Sequence, residues 1–231
     1  MLKSLLSIDW DYFIPIEQNW SGSYIENKEN MMFIWYKRYF DSMKRGINIE
    51  KSIKVERDLN VFLKIIRKYI KFKNNIKMYV SDSHKYSYDI AKANKCENVI
   101  NFDAHSDLGY GGMESLKFEV NCANWLGKLF KDNIINRASI VYSPYTLEEE
   151  SEFKEINSKF NIKYIKEDSL PNIEVDSIHL CRSGSWTPPW LDEKFNSLIA
   201  LFNIPHKIID CPTRNWDPGK LTLADKLYMW M

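Results

Sequence analysis

The stretch Cys96–Gly109, CENVINFDAHSDLG, joins an apolar segment to three polar side chains that follow it directly. The segment ENVINF has the short, continuous apolar character of a strand buried in a parallel sheet. Asp103, His105 and Asp107 come next, at alternate positions. In an extended segment alternate side chains point the same way, so these three can face one point. The stretch therefore predicts a strand of an α/β fold with a ligand site where the strand ends.

Short apolar runs and helical patterns alternate along the rest of the chain. Further strands are predicted at Leu5–Ile8, Ile76–Val80, Ala138–Ser143, Ile162–Glu167, Ser177–Cys181 and His206–Asp210. Helices are predicted at Met31–Gly46, Val55–Phe72, Ser83–Lys95, Asn121–Asp132, Thr146–Phe160, Pro188–Phe202 and Leu221–Met231. A polar loop runs from about Glu17 to Asn30. This alternation predicts one α/β domain over residues 1–231, a three-layer sandwich around a mostly parallel sheet.

The composition indicates a folded protein without a strong charge field. The 231 residues are 45% hydrophobic and 14% aromatic, and 32 basic against 31 acidic residues leave a formal net charge of +1. A buried core is therefore expected, and neither nucleic acid nor a membrane surface is an expected partner. The four cysteines are widely spaced without a CxxC pair, and no leader or membrane-spanning run is evident. We expect reduced thiols and a cytoplasmic location.

Two further polar clusters follow predicted strands. Asp9 and Asp11 come after the first strand, and Asp82 with His84 comes after the second. Ligands of open α/β sheets bind beyond the carboxyl ends of the strands. If the strands are neighbours, these clusters converge with the DAHSD cluster on one edge of the sheet.

Four carboxylates at such an edge repel one another unless cations neutralise them. Two divalent ions match four aspartates, and two histidines can supply one nitrogen to each ion. Mixed oxygen and nitrogen ligands suit two Mn²⁺, or another first-row metal, better than calcium. The expected ligands are Asp9, Asp11, His84, Asp103, His105 and Asp107. A water held between two ions roughly 3.5–4 Å apart ionises near neutral pH, which favours a hydrolase.

These motifs resemble those of the arginase and agmatinase group, manganese ureohydrolases that share their fold with histone deacetylases. DAHSD, Asp103–Asp107, matches the group's D-A-H-x-D motif. SIDWDYFIP, Ser7–Pro15, matches S-x-D-x-D-x-x-D-P except that Ile14 replaces the later aspartate, and VSDSH, Val80–His84, partly matches G-G-D-H. The S-x-D-x-D segment lies near the C-terminus of ordinary arginases, so the motifs here are in permuted order. CRSGSWTPPWLD, Cys181–Asp192, is most similar to the divergent peptide arginases.

The resemblance implies an arginase/deacetylase-like fold and hydrolysis of a guanidino group. Arginine would become ornithine and urea, in a guanidine-containing small molecule or within an arginine-containing ribosomal peptide. Asp107 and His105 are the candidate catalytic residues. Asp107 is expected to bridge the ions and to pass a proton to the leaving amine. No counterpart is found of the acidic residue that binds the guanidinium in this group.

Four residues are candidates for substrate contact. Asn121 and Asn124 resemble the family's Asn-containing loop, and this role is implied by the resemblance alone. Ser183 follows a predicted strand, and Trp186 lies near prolines where it can line a cleft. Arg182 precedes them and is a weaker candidate on the same positional ground.

The clusters can also be interpreted without a metal. DAHSD can be a strand-end turn that caps a helix, and SDSH can be plain N-capping with His84 exposed. A strand that ends in D-x-D also opens haloacid-dehalogenase-type magnesium phosphatases, although Phe13 stands where that family prefers Thr or Val. A deacetylase-like amide hydrolase with one zinc, or a binding protein without activity, are further alternatives. His179 and His206 lie in predicted strands and are expected to be core residues.

Overall fold

The computed structural model describes residues 2–15, 26 and 28–230. Its strands are β1 Ser4–Asp9, β2 Ile70–Ser81, β3 Asn98–Asp103, β4 Arg137–Tyr142, β5 Ile162–Tyr164, β6 Ile173–Cys181 and β7 His206–Ile209. Its α-helices are α1 Met31–Lys44, α2 Ile49–Ser52, α3 Leu59–Tyr69, α4 Tyr86–Asn94, α5 Gly112–Ser115, α6 Trp125–Lys131, α7 Lys154–Lys159, α8 Asp192–Phe202 and α9 Leu223–Trp230. Most of the predicted polar loop, residues 17–25 and 27, lies outside the described residues.

The seven strands form one parallel sheet in the order β5-β4-β3-β1-β6-β2-β7. This arrangement confirms the predicted α/β class with a parallel central sheet. From β1 the chain moves to β2 on one side and then returns to β3 on the other, so the strand order reverses at β1. The carboxyl ends of strands beside such a reversal are where open sheets bind ligands. The three strands that precede the polar clusters are not all neighbours. β1 and β3 are adjacent, but β6 lies between β1 and β2.

Helices cover both faces of the sheet. Leu6 of β1 packs in one apolar cluster with side chains of α3 and α8. Leu5 points the other way and packs in a second cluster with side chains of α4, α6 and α7. β1 and β3 are buried over their whole length. Burial on both faces explains why these strands read as continuous apolar runs in the sequence.

The predicted elements are all present in the described residues, with differences at their ends. Gly46 follows α1 with a φ of +75°, the left-handed conformation that a glycine adopts easily at a helix end. β2 begins six residues earlier than predicted, at Ile70, because α3 runs directly into the strand without a loop. The prediction that His206 is a core residue is wrong, since β7 is an edge strand and His206 is exposed. Among the described residues, no helix has the length and apolar character to cross a membrane.

Candidate metal centre

The sheet brings the six predicted ligands to one edge. Asp9 is the last residue of β1 and Asp103 the last residue of β3, and the two strands are direct neighbours. A 3₁₀ turn follows β1, and its start is fixed by the Asp9 carboxylate, which accepts a hydrogen bond from the Asp11 N–H at 3.1 Å. Asp11 Oδ1 in turn accepts from the Ala104 N–H at 3.2 Å. These bonds aim Asp11 back at the segment that carries the DAHSD motif.

One group of ligands surrounds the ring nitrogen Nδ1 of His84. This atom lies 3.1 Å from Asp9 Oδ2, 3.0 Å from Asp103 Oδ2 and 2.8 Å from Asp107 Oδ2. None of the three contacts has hydrogen-bond geometry, and His84 Nδ1 is a buried atom without a hydrogen-bond partner. Ligand atoms about 2.1 Å from a six-coordinate ion lie about 3.0 Å apart. The spacing around Nδ1 is therefore that of adjacent ligands on one divalent ion.

A chain of hydrogen bonds determines which nitrogen of His84 carries the proton. Ser81 donates its hydroxyl hydrogen to the Ser83 carbonyl at 2.9 Å, so Nε2 of His179 must donate to Ser81 Oγ at 2.7 Å. Burial lowers the pKa of His179 well below its usual value, so this ring is neutral and its Nδ1 accepts from Ser87 Oγ at 2.6 Å. His179 is thus a hydrogen-bonded core residue, as predicted.

The same series of hydrogen bonds continues to the candidate metal ligand His84. Ser87 Oγ lies 2.8 Å from Ser7 Oγ, and having donated to His179 it can only accept there. Ser7 therefore donates to Ser87 and accepts from Nε2 of His84 at 2.7 Å. In the neutral His84 ring the proton is then on Nε2, and Nδ1 presents a lone pair to three carboxylate oxygens. A buried lone pair facing three anionic oxygens is unfavourable unless a proton or a metal ion lies between them.

A second group of ligands lies beside the first. His105 Nδ1 lies 2.9 Å from Asp11 Oδ2 and 3.5 Å from Asp103 Oδ1. Asp103 therefore has one carboxylate oxygen in each group, and its two oxygens can bind two ions. The sequence led us to expect the bridge at Asp107, but Asp107 contacts only the His84 group. Its φ of +53° and a hydrogen bond from the Trp125 indole hold it there.

The charges of these buried groups are unbalanced without cations. Burial, together with the Asp9 and Asp103 carboxylates, raises the pKa of Asp11 well above its usual value. Burial and Asp103 raise the pKa of Asp107 to about 8. Burial lowers the pKa of His84, but the surrounding carboxylates outweigh this effect and the pKa is raised well above normal. The same balance raises the pKa of His105. Protons and metal ions therefore compete for the same ligand atoms.

The candidate ligands form the floor of a cavity of about 290 Å³. Its walls come from the loops after β3 and β4, from the loop before α6 and from the loop after β6. Apart from the six ligands, the lining residues are Ala104, Tyr110, Cys122, Ala123, Tyr145, Leu147, Glu148, Glu152, Ser183 and Trp186. A cavity of this size lies near the lower end of the range for ligand pockets, so it admits a small molecule or one side chain of a larger substrate.

Two of the four predicted substrate residues line this cavity. Ser183 donates a hydrogen bond to Asp9 Oδ2, so it also holds a metal ligand, and Trp186 lies at the wall. Asn121 and Asn124 do not line it. The Asn124 side chain accepts from the Asn121 N–H at 2.9 Å and donates to the Glu119 carbonyl at 3.0 Å. Both asparagines shape the loop that brings other residues to the wall.

Arg182 and Asp82 lie away from the cavity and bind each other. The Arg182 Nε lies 2.6 Å from Asp82 Oδ1, and its NH1 group lies 3.1 Å from Asp192 Oδ2. Arg214 also pairs with Asp192. The motif VSDSH therefore contributes to the candidate metal centre through its histidine alone, while its aspartate anchors the loop that carries Ser183.

The sequence analysis did not identify Glu148 and Tyr110, which both line the cavity. Glu148 follows β4 inside the acidic run EEESE, which reads as the exposed start of a helix. The helix α7 begins only at Lys154, and Glu148 belongs to the loop before it. The available signal was its position in the loop after β4, because loops at the carboxyl ends of parallel strands carry the ligand sites of such sheets.

Comparison of the chain with protein-family models, with curated proteins and with solved structures found no match.

Proposed function

We propose that the chain is a binuclear metal hydrolase that acts on a guanidino group, most simply by converting arginine to ornithine and urea. The observation that carries the proposal is the pair of ligand groups that share Asp103. One group leaves the lone pair of His84 Nδ1 facing three carboxylate oxygens, and the other joins His105 to Asp11. Four carboxylates and two imidazoles suit two Mn²⁺ or similar first-row ions.

Two such ions, when bound, supply a water that ionises near neutral pH. Residues of the chain itself position the ligand groups and transfer protons. Asp103 fixes the spacing between the two groups, and Ser183 holds Asp9 in place. Asp107 is our candidate for the group that accepts a proton and returns it to the leaving amine, because it lies at the cavity floor and belongs to one ligand group without bridging to the other.

Arginine within a peptide fits the cavity better than a large rigid substrate. The cavity has room for one side chain above the candidate ligands, and its lining includes Tyr145 and Leu147, the latter 61% exposed. Apolar groups at a rim can contact the neighbouring parts of an extended chain. We therefore favour a ribosomal peptide as substrate, with free arginine and other guanidines as the alternatives for experiment.

We further propose that the protein acts in the cytoplasm. Cys96, Cys181 and Cys211 are free thiols in the structure. Unpaired cysteines are typical of reducing compartments.

The decisive experiment is mass spectrometry of arginine-containing peptides incubated with the Mn²⁺-loaded protein. Conversion to ornithine lowers the mass by about 42 Da per arginine and releases urea. His105→Ala should abolish both signals. The matched control replaces an aspartate outside the site, Asp89→Asn on the exposed face of α4, and should leave them unchanged. Urea release that survives His105→Ala, or activity confined to a phosphate ester with magnesium, would refute the proposal.

A further inference from the structure

A second cavity lies between α8 and the edge strand β7, and we call it the α8–β7 cavity. Its lining comes from α8, from β7 and from the segments that precede α8 and follow β7, and it shares no residue with the lining of the first cavity. Its volume is about 660 Å³, more than twice the 290 Å³ of the first cavity. Ligand pockets measure about 300–1,000 Å³, so a complete small molecule fits here.

Two indole rings in the lining of the α8–β7 cavity are held firmly. Trp190 and Trp216 have ring centroids 5.3 Å apart, with their planes at 48°. Trp216 stacks on Tyr36 with centroids 4.4 Å apart, and its Nε1 donates to Glu50 Oε1 at 2.7 Å. Trp190 Nε1 donates to the Ile53 carbonyl at 3.3 Å. Both indole N–H groups are thus bonded to residues outside the lining, and the rings offer preorganised apolar surface to a ligand.

The other apolar walls of the α8–β7 cavity differ in exposure. Phe195 of α8 is 1% exposed, whereas Ile208 of β7 is 60% exposed. In the described part of the chain β7 pairs with β2 alone, so it forms an edge of the sheet. A flat apolar group in the cavity would remove part of the Ile208 surface from water, which favours binding.

Two buried arginines of the same lining have hydrogen-bond donors to spare. Arg182 is 4% exposed and Arg214 is 6% exposed. A guanidinium has five N–H donors. Arg182 uses three of them and Arg214 uses four, all on carboxylates or backbone carbonyls. Three N–H groups are therefore left without an acceptor among the described residues, and a buried donor without an acceptor is costly.

The ion network around these arginines lacks acceptors and not charge. Arg182 and Arg214 are matched by the carboxylates of Asp82 and Asp192, so the two positive charges are already balanced. Glu193 also lines the cavity, but it is exposed, and solvent screens its charge. A carboxylate or carbonyl oxygen of a ligand supplies the acceptor that the unused N–H groups need.

We propose that the α8–β7 cavity is a second ligand site, which takes a flat aromatic molecule that carries a carboxylate or carbonyl oxygen. The ring of the ligand packs against the two indoles and Ile208, and its oxygen accepts hydrogen bonds from the buried guanidinium groups. The site shares no residue with the candidate metal ligands, so it does not depend on the proposed hydrolase activity.

The test uses three naphthalene probes that differ in one substituent, namely 2-naphthoate, 2-naphthamide and 2-naphthylmethylammonium. Saturation-transfer NMR titrations of the full chain are made in EDTA, so that no metal ion can bind the carboxylate. We expect 2-naphthoate to bind with a Kd of about 0.1–1 mM and the ammonium probe to bind at least about 5-fold more weakly, since it brings a donor where an acceptor is needed. Tighter binding of 2-naphthoate than of 2-naphthamide identifies a carboxylate as the preferred group, and equal binding identifies a carbonyl oxygen.

Two neighbouring residues of α8 give a matched pair of variants. Asn196 and Ser197 are both exposed, but Asn196 lines the α8–β7 cavity and Ser197 does not. Asn196→Trp fills part of the cavity and should weaken 2-naphthoate binding about 10-fold or more, whereas Ser197→Trp should change it by less than about 2-fold. Loading the wild-type protein with Mn²⁺ should leave the Kd unchanged.

Several outcomes overturn the inference. They are equal or tighter binding of the ammonium probe, equal effects of the two tryptophan substitutions, and binding of 2-naphthoate that requires Mn²⁺. Should Asn196→Trp fail to fold, Ile208→Asp decides, because it places a carboxylate at an exposed wall position. That variant should weaken 2-naphthoate more than the ammonium probe, and an unchanged ratio of the two would refute the site. Failure of urea release leaves this inference untouched.

Discussion

The hydroxyl of Ser7 lies 2.7 Å from Nε2 of His84, and this contact connects the candidate metal centre to the interior of the sheet. Ser7 lies in the middle of β1, and its register partner in β6 is His179, the neutral histidine of the same hydrogen-bond chain. The proton position of His84 is therefore set by the strand register and not by a flexible loop. Groups that fix a ligand histidine in this way raise the metal affinity of its site.

Ser87→Ala tests this chain of hydrogen bonds. The substitution removes the hydroxyl that accepts from Ser7 and donates to His179, so the His84 proton is no longer held on Nε2. We expect Mn²⁺ affinity at the His84 group to fall roughly 10- to 100-fold, with the His105 group unaffected. Stepwise metal titration followed by calorimetry distinguishes the two groups.

The control for this variant is Ser197→Ala, which removes a hydroxyl from the exposed surface of α8. It should leave both affinities unchanged. Equal affinity loss at both groups in Ser87→Ala would mean that the substitution acts on folding and not on the His84 tautomer. Thermal unfolding of the metal-free proteins should be measured alongside to identify that case.

Asp103 and Asp11 differ in the number of ions that should depend on them. Asp103 has an oxygen in each ligand group, whereas Asp11 belongs to the His105 group. We expect Asp103→Asn to lose both ions and Asp11→Asn to keep about one per chain, because the amide removes charge without removing volume. Metal analysis of the purified variants, with Asp89→Asn as control, gives the counts. Retention of two ions by Asp103→Asn would exclude the shared bridge.

Mn²⁺ binding should strengthen as pH rises, because metal ions and protons compete for the same ligand atoms. The raised pKa values of His84 and His105, and the value of about 8 for Asp107, mean that the folded metal-free protein holds protons at neutral pH that the unfolded chain has released. Its free energy of unfolding should therefore fall as pH rises from about 7 to about 8.5. Above pH 7 the low pKa of His179 contributes little, because that residue is neutral in both states.

The measurement is the shift in melting temperature on adding Mn²⁺ at each pH. Ions must displace those protons, so the shift should grow across the same interval. EDTA should reverse it. A shift that shrinks with rising pH would contradict the assignment of these three residues as ligands.

Much of the fold could be predicted because strand burial on both faces leaves continuous apolar runs in the sequence. The same apolar runs located the ends of β1 and β3. The D-x-H-x-D spacing at the end of β3 then indicated the candidate metal centre. The position of β6 between β1 and β2 could not be predicted, since strand order depends on contacts between distant segments. The roles of Asn121 and Asn124 were assigned by resemblance, and the structure shows them bonding to their own loop.

Glu148 shows a further limit of the sequence. Its acidic neighbours are exposed, and an acidic run before a helix is usually a solvated first turn. Only the hydrogen bonds from Ser106 and Tyr110 turn it toward the cavity, and these join segments about forty residues apart. No local pattern contains that information.

The last prediction concerns stability and uses the buried ion network behind the cavity. Arg182 pairs with Asp82 and Asp192, and its NH2 group donates to the Pro212 carbonyl at 2.7 Å. Arg182→Met keeps most of the volume but leaves the Asp82 carboxylate buried without its cation. Because an unpaired buried charge is costly, we expect the free energy of unfolding to fall by about 3–5 kcal/mol.

Urea denaturation monitored by tryptophan fluorescence measures this change through the midpoint at a constant slope. The matched control is Arg137→Met on the exposed start of β4, which should change stability by less than about 0.5 kcal/mol. Adding Asp82→Asn to Arg182→Met should recover part of the loss, because the amide needs no counter-ion in the buried site. An equally large loss in both arginine variants would show that the cost comes from the lost side chain and not from the stranded carboxylate.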